Sequence, residues 1–274
     1  MMGEYANGDH WTLDDIPLDR VEIGRVRPRE ELFLLLAGAS FVETASDLYT
    51  RNLTAQFHDD TEVSSWLTRH WEPEELQHGR ALRAYVNHVW PDFDWQTAFS
   101  GFLAEHSRCC SVEELEASPC LEMAARCVVE MGTATYYRAI QGISDEPVLM
   151  QLAGFIQRDE VRHYEHFHRY FNHYNEREHV GRAKVLGALA RRLQVILRSD
   201  VKRGAWFPYR ARHAHTSRNG REFRRAMART TALMRSHYPA PMAIKMLLKP
   251  LALPPAVNRL SYGTVKLAQR MILR

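Results

Sequence analysis

The chain reads as an all-α protein. Apolar residues recur at helical spacing through most of its 274 residues, no run shows the period-two alternation of a half-buried strand, and turn-rich breaks such as "WPDFDW" and "GISDEP" separate the periodic stretches. After an irregular entry over residues 1–28, a first long helix is expected at about 29–57, holding the longest apolar run, Leu32 to Val42. A second is expected at about 62–90. It contains Pro73, so it either begins there or kinks, because proline removes a ladder donor. A shorter helix follows near 95–107, then long ones at about 113–142 and 146–178, the last with Asp145 or Ser144 as N-cap and Pro147 in its first turn. Beyond residue 180 the pattern predicts a basic helix to about 198, an irregular stretch "KRGAWFPYRARHAHTSRNG", another basic helix near 218–237, and a proline-punctuated end. No repeat is evident at periods of 20–50 residues. The expected organisation is a helical bundle over 1–180 and a basic helical extension over 181–274.

The formal net charge of +3 conceals a division. Residues 1–180 hold 15 basic and 31 acidic side chains, a net of −16, whereas residues 181–274 hold 21 and 2, a net of +19. Such a basic segment calls for an acidic partner or anionic lipid, or neutralises the acidic half of its own chain. Nucleic acid is not the expected partner, since no recognisable nucleic-acid-binding motif is present. The apolar run is far short of the ~20 residues a membrane span needs, and no basic segment leads into an apolar one at the N-terminus. Cys109, Cys110, Cys120 and Cys127 lack CxxC spacing and a disulfide framework. The expected location is a reducing cytoplasm, with "MAIKMLLKPLALPPAVNRL" as a segment that could lie on an anionic membrane surface.

Four Glu-x-x-His pairs occur where composition alone predicts about one: Glu75/His78, Glu160/His163, Glu165/His168 and Glu176/His179. Residues at i and i+3 share a helix face, so any of these could offer an oxygen and a nitrogen to one ion. At ~100° per residue, Glu165 lies roughly 140° and Glu176 roughly 160° around the helix from Glu160, so the last two pairs face elsewhere. Carboxylate-bridged di-iron bundles use one Glu from each of two helices and a Glu-x-x-His from each of the other two. Glu43, then Glu75 with His78, then Glu130, then Glu160 with His163 supply that set in order. Glu43 to Glu75 is 32 residues and Glu130 to Glu160 is 30, the span of two antiparallel helices and a turn, while the 55 residues from Glu75 to Glu130 leave room for a crossover. Two hairpins and one crossover make the ferritin-like topology. Glu43 and Glu130 sit in otherwise apolar stretches, near Leu36, Phe41, Val128 and Val129 on their own segments and Leu152 and Phe155 on the partner helix, which a solvated charged face would not explain. Burying four carboxylates without cations would be prohibitive. Mixed oxygen and nitrogen donors suit iron or manganese, and carboxylates can bridge two ions about 3.5–4 Å apart. Glu75 rather than Glu74 is the expected ligand, because it shares the face of His78.

These residues resemble the soluble, plant-type acyl-acyl-carrier-protein desaturases of the ferritin-like di-iron superfamily. "WLTRHWEPEELQHG" is similar to that family's W-x-x-R-x-W-x-x-E-E-x-x-H-G, and "RDEVRHYE" to its D-E-x-R-H-E region with one residue inserted. "ETASDLY" and "EMGT" match E-x-A-x-x-x-Y and E-x-x-T, and "HWTLDDIP" resembles the family's W-x-x-x-D-x-x-P entry with one residue fewer. The likeness covers about residues 31–170 and has no counterpart in the Arg-rich last third. It implies two iron ions held by Glu43, Glu75, His78, Glu130, Glu160 and His163. It also implies Asp159 orienting a ligand histidine, Thr133 near the oxygen-binding face, and Trp11 on the electron route. The implied reaction is oxygen-dependent desaturation of a fatty-acyl chain on acyl carrier protein, with a ferredoxin-type donor, by a monomer or homodimer. Hydroxylation or N-oxygenation of another small molecule uses the same ligands, and a ferritin-like iron-storage or oxidative-protection protein is the non-enzymatic alternative, because fold and metal set do not dictate the reaction.

Overall fold

The computed structural model describes residues 10–110, 115–196 and 201–254, and these residues contain helices and no strand. The entry forms short 3₁₀ turns at Leu13–Asp15 and Leu18–Arg20 and a single α-turn, α1, at Ile23–Val26. Helix α2 spans Glu30–Thr44 and α3 spans Ser46–Gln56. The single helix expected over 29–57 is therefore broken at Ala45, two residues after Glu43. Ala45 leaves helical geometry at φ −95°, ψ 11°, and Thr44 Oγ1 donates back to the Ser40 carbonyl at 2.6 Å, a bond that bends helices. Helix α2 is apolar on all sides, with Leu32 to Ala37 buried without interruption, because other helices cover every face of it. The stretch Glu30–Gln56 has the length and hydropathy of a membrane span, yet most of it is buried inside the bundle.

Helix α4 (Thr61–Trp66) passes through a π-turn, Leu67–Trp71, into α5 (Glu72–Val89). Pro73 lies in the first turn of α5, within one residue of the expected start, and the regular ladder is interrupted by the π-turn immediately ahead of it. The Glu72 N–H bonds the Leu67 carbonyl five residues back, and this wider turn makes room for a residue that lacks a donor. Helix α6 (Trp95–His106) begins at an Asp94 cap and leads toward α7 (Pro119–Ile143), capped by Ser118. The expected start near 113 falls outside the described residues, and 115–118 are irregular. Helix α8 (Pro147–Glu178) is capped by Glu146, whose carboxylate accepts from Val148 and Leu149 N–H. Neither Asp145 nor Ser144 caps it. Ser144 Oγ instead accepts from the Glu146 N–H at 3.0 Å and sets the cap in place.

Two antiparallel hairpins result. In the first, Gly79 of α5 meets Thr44 of α2, while Trp90 Nε1, past the end of α5, reaches the Arg27 carbonyl ahead of α2. In the second, Cys120 at the start of α7 meets Asn175 and Glu178 at the end of α8, and Gln141 meets Met150. Helices α5 and α8 join the hairpins through contacts from residue 78 to 159 and from 74 to 163.

The C-terminal third wraps this assembly. Helix α9 (Arg182–Val195) packs on α7, α10 (Val201–Arg212) on α2 and α6, α11 (Arg221–His237) on α2 and α7, and α12 (Ala240–Leu248) on α7. Helix α10 replaces the first part of the expected irregular stretch, whereas residues 213–220 are irregular as expected. Pro208 lies inside it, but burial of Ala205, Trp206 and Tyr209 against the bundle offsets the missing hydrogen bond. Gly38 of α2 and Gly204 of α10 meet backbone to backbone, and a Cβ on Gly38 would lie 3.1 Å from the Gly204 carbonyl carbon. Part of the basic charge is spent internally: Arg191 on Glu116, Arg192 on buried Glu122, Arg203 and Arg218 on Glu105, and Arg229 on Glu30 and Glu31. The end of the expected basic helix and the part of the lipid-facing segment beyond residue 254 lie outside the described residues.

Candidate metal centre

The four helices α2, α5, α7 and α8 each bring acid into the interior. Glu43, Glu75, His78, Glu130, Glu160 and His163 are all at most 5% exposed. They fall into two quartets: Glu43, Glu75, His78 and Glu160, and Glu75, Glu130, Glu160 and His163. Within each, one donor atom per residue lies within 4.8 Å of the others, and Glu75 and Glu160 belong to both. Two sites sharing two carboxylates are the arrangement a bridged pair of cations requires. The other Glu-x-x-His pairs behave as helix phase predicts: Glu165, Glu176 and His179 are exposed.

The histidines are held from behind. Asp159 Oδ2 is 2.9 Å from His78 Nε2, and Glu74 Oε2 is 2.8 Å from His163 Nε2, which leaves both Nδ1 atoms facing inward. His163 Nδ1 lies 3.0 Å from Glu75 Oε1 and 3.6 Å from Glu130 Oε2, and His78 Nδ1 lies 3.3 Å from Glu160 Oε1. None of these inward contacts has hydrogen-bond alignment. The Nδ1 atoms of both rings, Glu130 Oε1 and Glu160 Oε1 are buried with no hydrogen-bond partner. A buried orphan of this kind costs about 1–3 kcal/mol, so four of them turned toward one place fit bound cations. Four carboxylates and two imidazoles within ligand distance form a donor set that can hold metal ions.

Around this centre, Asp159 accepts from Trp11 Nε1 at 2.7 Å and from Arg162 at 2.5 Å. The Trp11 ring lies parallel to His78 with centroids 6.1 Å apart and stacks on Phe155. Thr133, one turn after Glu130, donates to Glu160 Oε2 at 2.6 Å. The Tyr137 hydroxyl donates to Glu43 Oε1. Trp66 and Trp71 each make a T-shaped contact with the His163 ring.

The electrostatics are those of an acidic cluster neutralised by protons. Burial pushes Glu130 up to about 8, with Glu160 adding to the effect. Burial and Glu160 also raise Glu43 and, with Glu43, hold Glu75 well above the carboxylate range. Glu160 stays well below that range despite its burial, because both histidines face it. Burial would depress His78 and His163, but the surrounding carboxylates outweigh it and hold both rings well above the usual value. Glu74 and Asp159 are kept ionised against burial, the first chiefly by His163 and the second by His78 and Arg162. A metal ion would take the place of the protons on the inward atoms.

Two residues at the centre, Glu74 and Tyr137, are not among those expected from the sequence. A signal for Glu74 was available: the two ligand segments share one pattern, acid-Glu-x-x-His, in "EELQH" and "DEVRH". In each, the acid ahead of the ligand Glu holds the histidine of the other helix. No protein-family model, no curated protein and no solved structure matches the chain.

Proposed function

We propose that this protein is an oxygen-dependent di-iron oxidoreductase with a ferritin-like bundle, acting on a fatty-acyl chain carried by acyl carrier protein and desaturating it. The observation that carries the reading is the pair of histidines whose Nε2 atoms are fixed by Asp159 and Glu74 while both Nδ1 atoms turn, unpartnered, toward four buried glutamates. The likeness of the two ligand segments to the soluble desaturases supplies the reaction class. Bound iron would supply the oxygen chemistry, removing hydrogen from unactivated methylenes.

The chain's own residues provide binding, orientation and access. Glu75 and Glu160, common to both quartets, would hold both ions, Glu43 with His78 and Glu130 with His163 would complete the two ligand sets, and Thr133 fixes the Glu160 carboxylate through its hydrogen bond. Trp11, bonded to Asp159 and parallel to His78, offers an aromatic route by which an electron reaches the site. The exposed face of α11 carries Arg221, Arg224, Arg225 and Arg235 with Glu222 as its sole acid, a surface suited to an acidic carrier protein or ferredoxin-type donor.

The test is direct. The iron-loaded protein is incubated with acyl-carrier-protein thioesters of graded length, dioxygen and a reductant, and the released acyl chains are analysed for position of unsaturation. A new double bond at a fixed position is the expected result. Hydroxylated chains would move the protein to the hydroxylase reading, and unchanged chains at every length would remove the acyl substrate.

A further inference from the structure

We propose that Tyr137 is a one-electron donor to the metal pair, oxidised to a neutral phenoxyl radical while its proton passes to Glu43. The inference rests on the di-iron reading and adds to it a redox-active side chain of the protein itself.

The geometry singles out this residue among the aromatic side chains around the centre. Tyr137 is buried within α7, and its hydroxyl donates to Oε1 of Glu43, a member of the first quartet. It is therefore one hydrogen bond from a ligand. Losing an electron from a buried phenol creates a cation that low-dielectric surroundings penalise heavily. The penalty is avoided when the proton leaves with the electron, and that requires a base already aligned on the O–H. Glu43 is such a base.

The neighbours lack this arrangement. Tyr136 lies edge-on to Tyr137 with ring centroids 5.4 Å apart, but its hydroxyl donates to the Leu35 carbonyl, which accepts a hydrogen bond and does not take a proton. Trp71 faces His163, yet its buried Nε1 has no partner at all. Trp11 has a carboxylate partner in Asp159, but it reaches the ligand His78 only through that carboxylate or across the ring stack.

The step balances as follows. Reduction of dioxygen to two waters consumes four electrons and four protons. Without an acyl substrate, the two ferrous ions supply two electrons, Tyr137 supplies one and an external one-electron reductant supplies the fourth, while solvent supplies the four protons. At Tyr137 the O–H bond breaks, the electron goes to the oxidised metal pair and the proton goes to Glu43 Oε1. Glu43 returns the proton when a reductant restores the phenol.

The experiment uses the full chain loaded anaerobically with two ferrous ions and mixed with dioxygen without acyl substrate. Samples are freeze-quenched and read in parallel by Mössbauer spectroscopy for iron and by electron paramagnetic resonance for radicals. The expected result is ferrous oxidation accompanied by an organic radical whose hyperfine pattern collapses in protein grown on ring-deuterated tyrosine. The signal should vanish in Tyr137→Phe and persist in Tyr136→Phe. Isotope labelling leaves the fold untouched, so a tyrosine radical is identified even if a variant loads iron poorly. Iron that oxidises without a tyrosine radical, or a radical that survives Tyr137→Phe, overturns the proposal and leaves the di-iron reading standing. Iron that does not bind, or does not react with dioxygen, defeats both.

Discussion

Gly79 offers a quantitative test of how the two ligand-bearing helices of the first hairpin meet. A Cβ built on it would lie 2.6 Å from Thr44 Oγ1, 2.7 Å from Thr44 N and 2.9 Å from Thr44 Cα. The last two atoms are backbone, so a rotamer change cannot relieve the contact, and α2 and α5 must separate by several tenths of an ångström. Overpacking of this kind costs about 1–3 kcal/mol, and the better helix propensity of alanine returns up to ~1 kcal/mol. Gly79→Ala should therefore lose about 1–2 kcal/mol, a fall of roughly 2–8 °C in Tm for a chain of this size. The displacement has a second readout. Thr44 follows Glu43 and Gly79 follows His78, so the separation falls on the quartet containing both. Stepwise titration with Fe²⁺ or Mn²⁺ should show that site weakened and the site holding Glu130 and His163 nearly unchanged. Gly132→Ala is the control, because nothing lies within 4 Å of its Cβ position, and this substitution should raise stability by up to ~1 kcal/mol and leave both sites alone. A Gly79→Ala protein as stable as the parent, with two undisturbed sites, would refute the close approach at this level.

Other expectations follow from the same geometry. Asp159→Asn and Glu74→Gln should each preserve the fold and weaken metal binding about 10–100-fold at the histidine each one holds, measured by competition with a chelator; equal effects on both sites from either variant would contradict the assignment. Metal loading at neutral pH should release protons, because His78, His163, Glu130, Glu43 and Glu75 are all raised in the metal-free cluster. Calorimetry in buffers of different ionisation enthalpy counts them, and acid should strip the metal. His106 is pushed down to about 4 by burial and Arg203. Its folded value lies below its unfolded value of about 6.5, so the stability it contributes is complete above that pH and is lost as pH falls through 4, up to about 3 kcal/mol. Replacing it with Gln should flatten denaturant-measured stability between pH 7 and 4.5. Charge reversal at Arg221, Arg224 and Arg225 should raise KM for an acidic carrier substrate with kcat little changed, and should reduce the salt dependence of the reaction.

Glu43 and Glu130 were legible in the sequence because a carboxylate inside an apolar helical run demands a partner, and because hairpin lengths place both at the level of a Glu-x-x-His. The phase of α8 separated Glu160 from Glu165 and Glu176 by simple angular arithmetic. What escaped depended on contacts between helices. Glu74 was set aside because it does not share a face with His78, yet its target sits on α8. The O–H of Tyr137 finds Glu43 across the α2 and α7 packing, which no spacing within α7 encodes. Helix α10 was missed for a different reason, since Pro208 argues locally against a helix and only burial of Trp206 and Tyr209 against the bundle reverses that preference. The break at Ala45 and the π-turn ahead of Glu72 are likewise answers to packing and to Pro73, and both lie beside residues of the centre.

The central claim is that α2, α5, α7 and α8 hold two metal ions bridged by Glu75 and Glu160. Anomalous diffraction at the iron edge from crystals of the iron-loaded protein tests it most directly. Two peaks about 3.5–4 Å apart, one beside Glu43 and His78 and the other beside Glu130 and His163, are the predicted result. A single peak, or iron bound elsewhere with these six side chains unaltered, would contradict it.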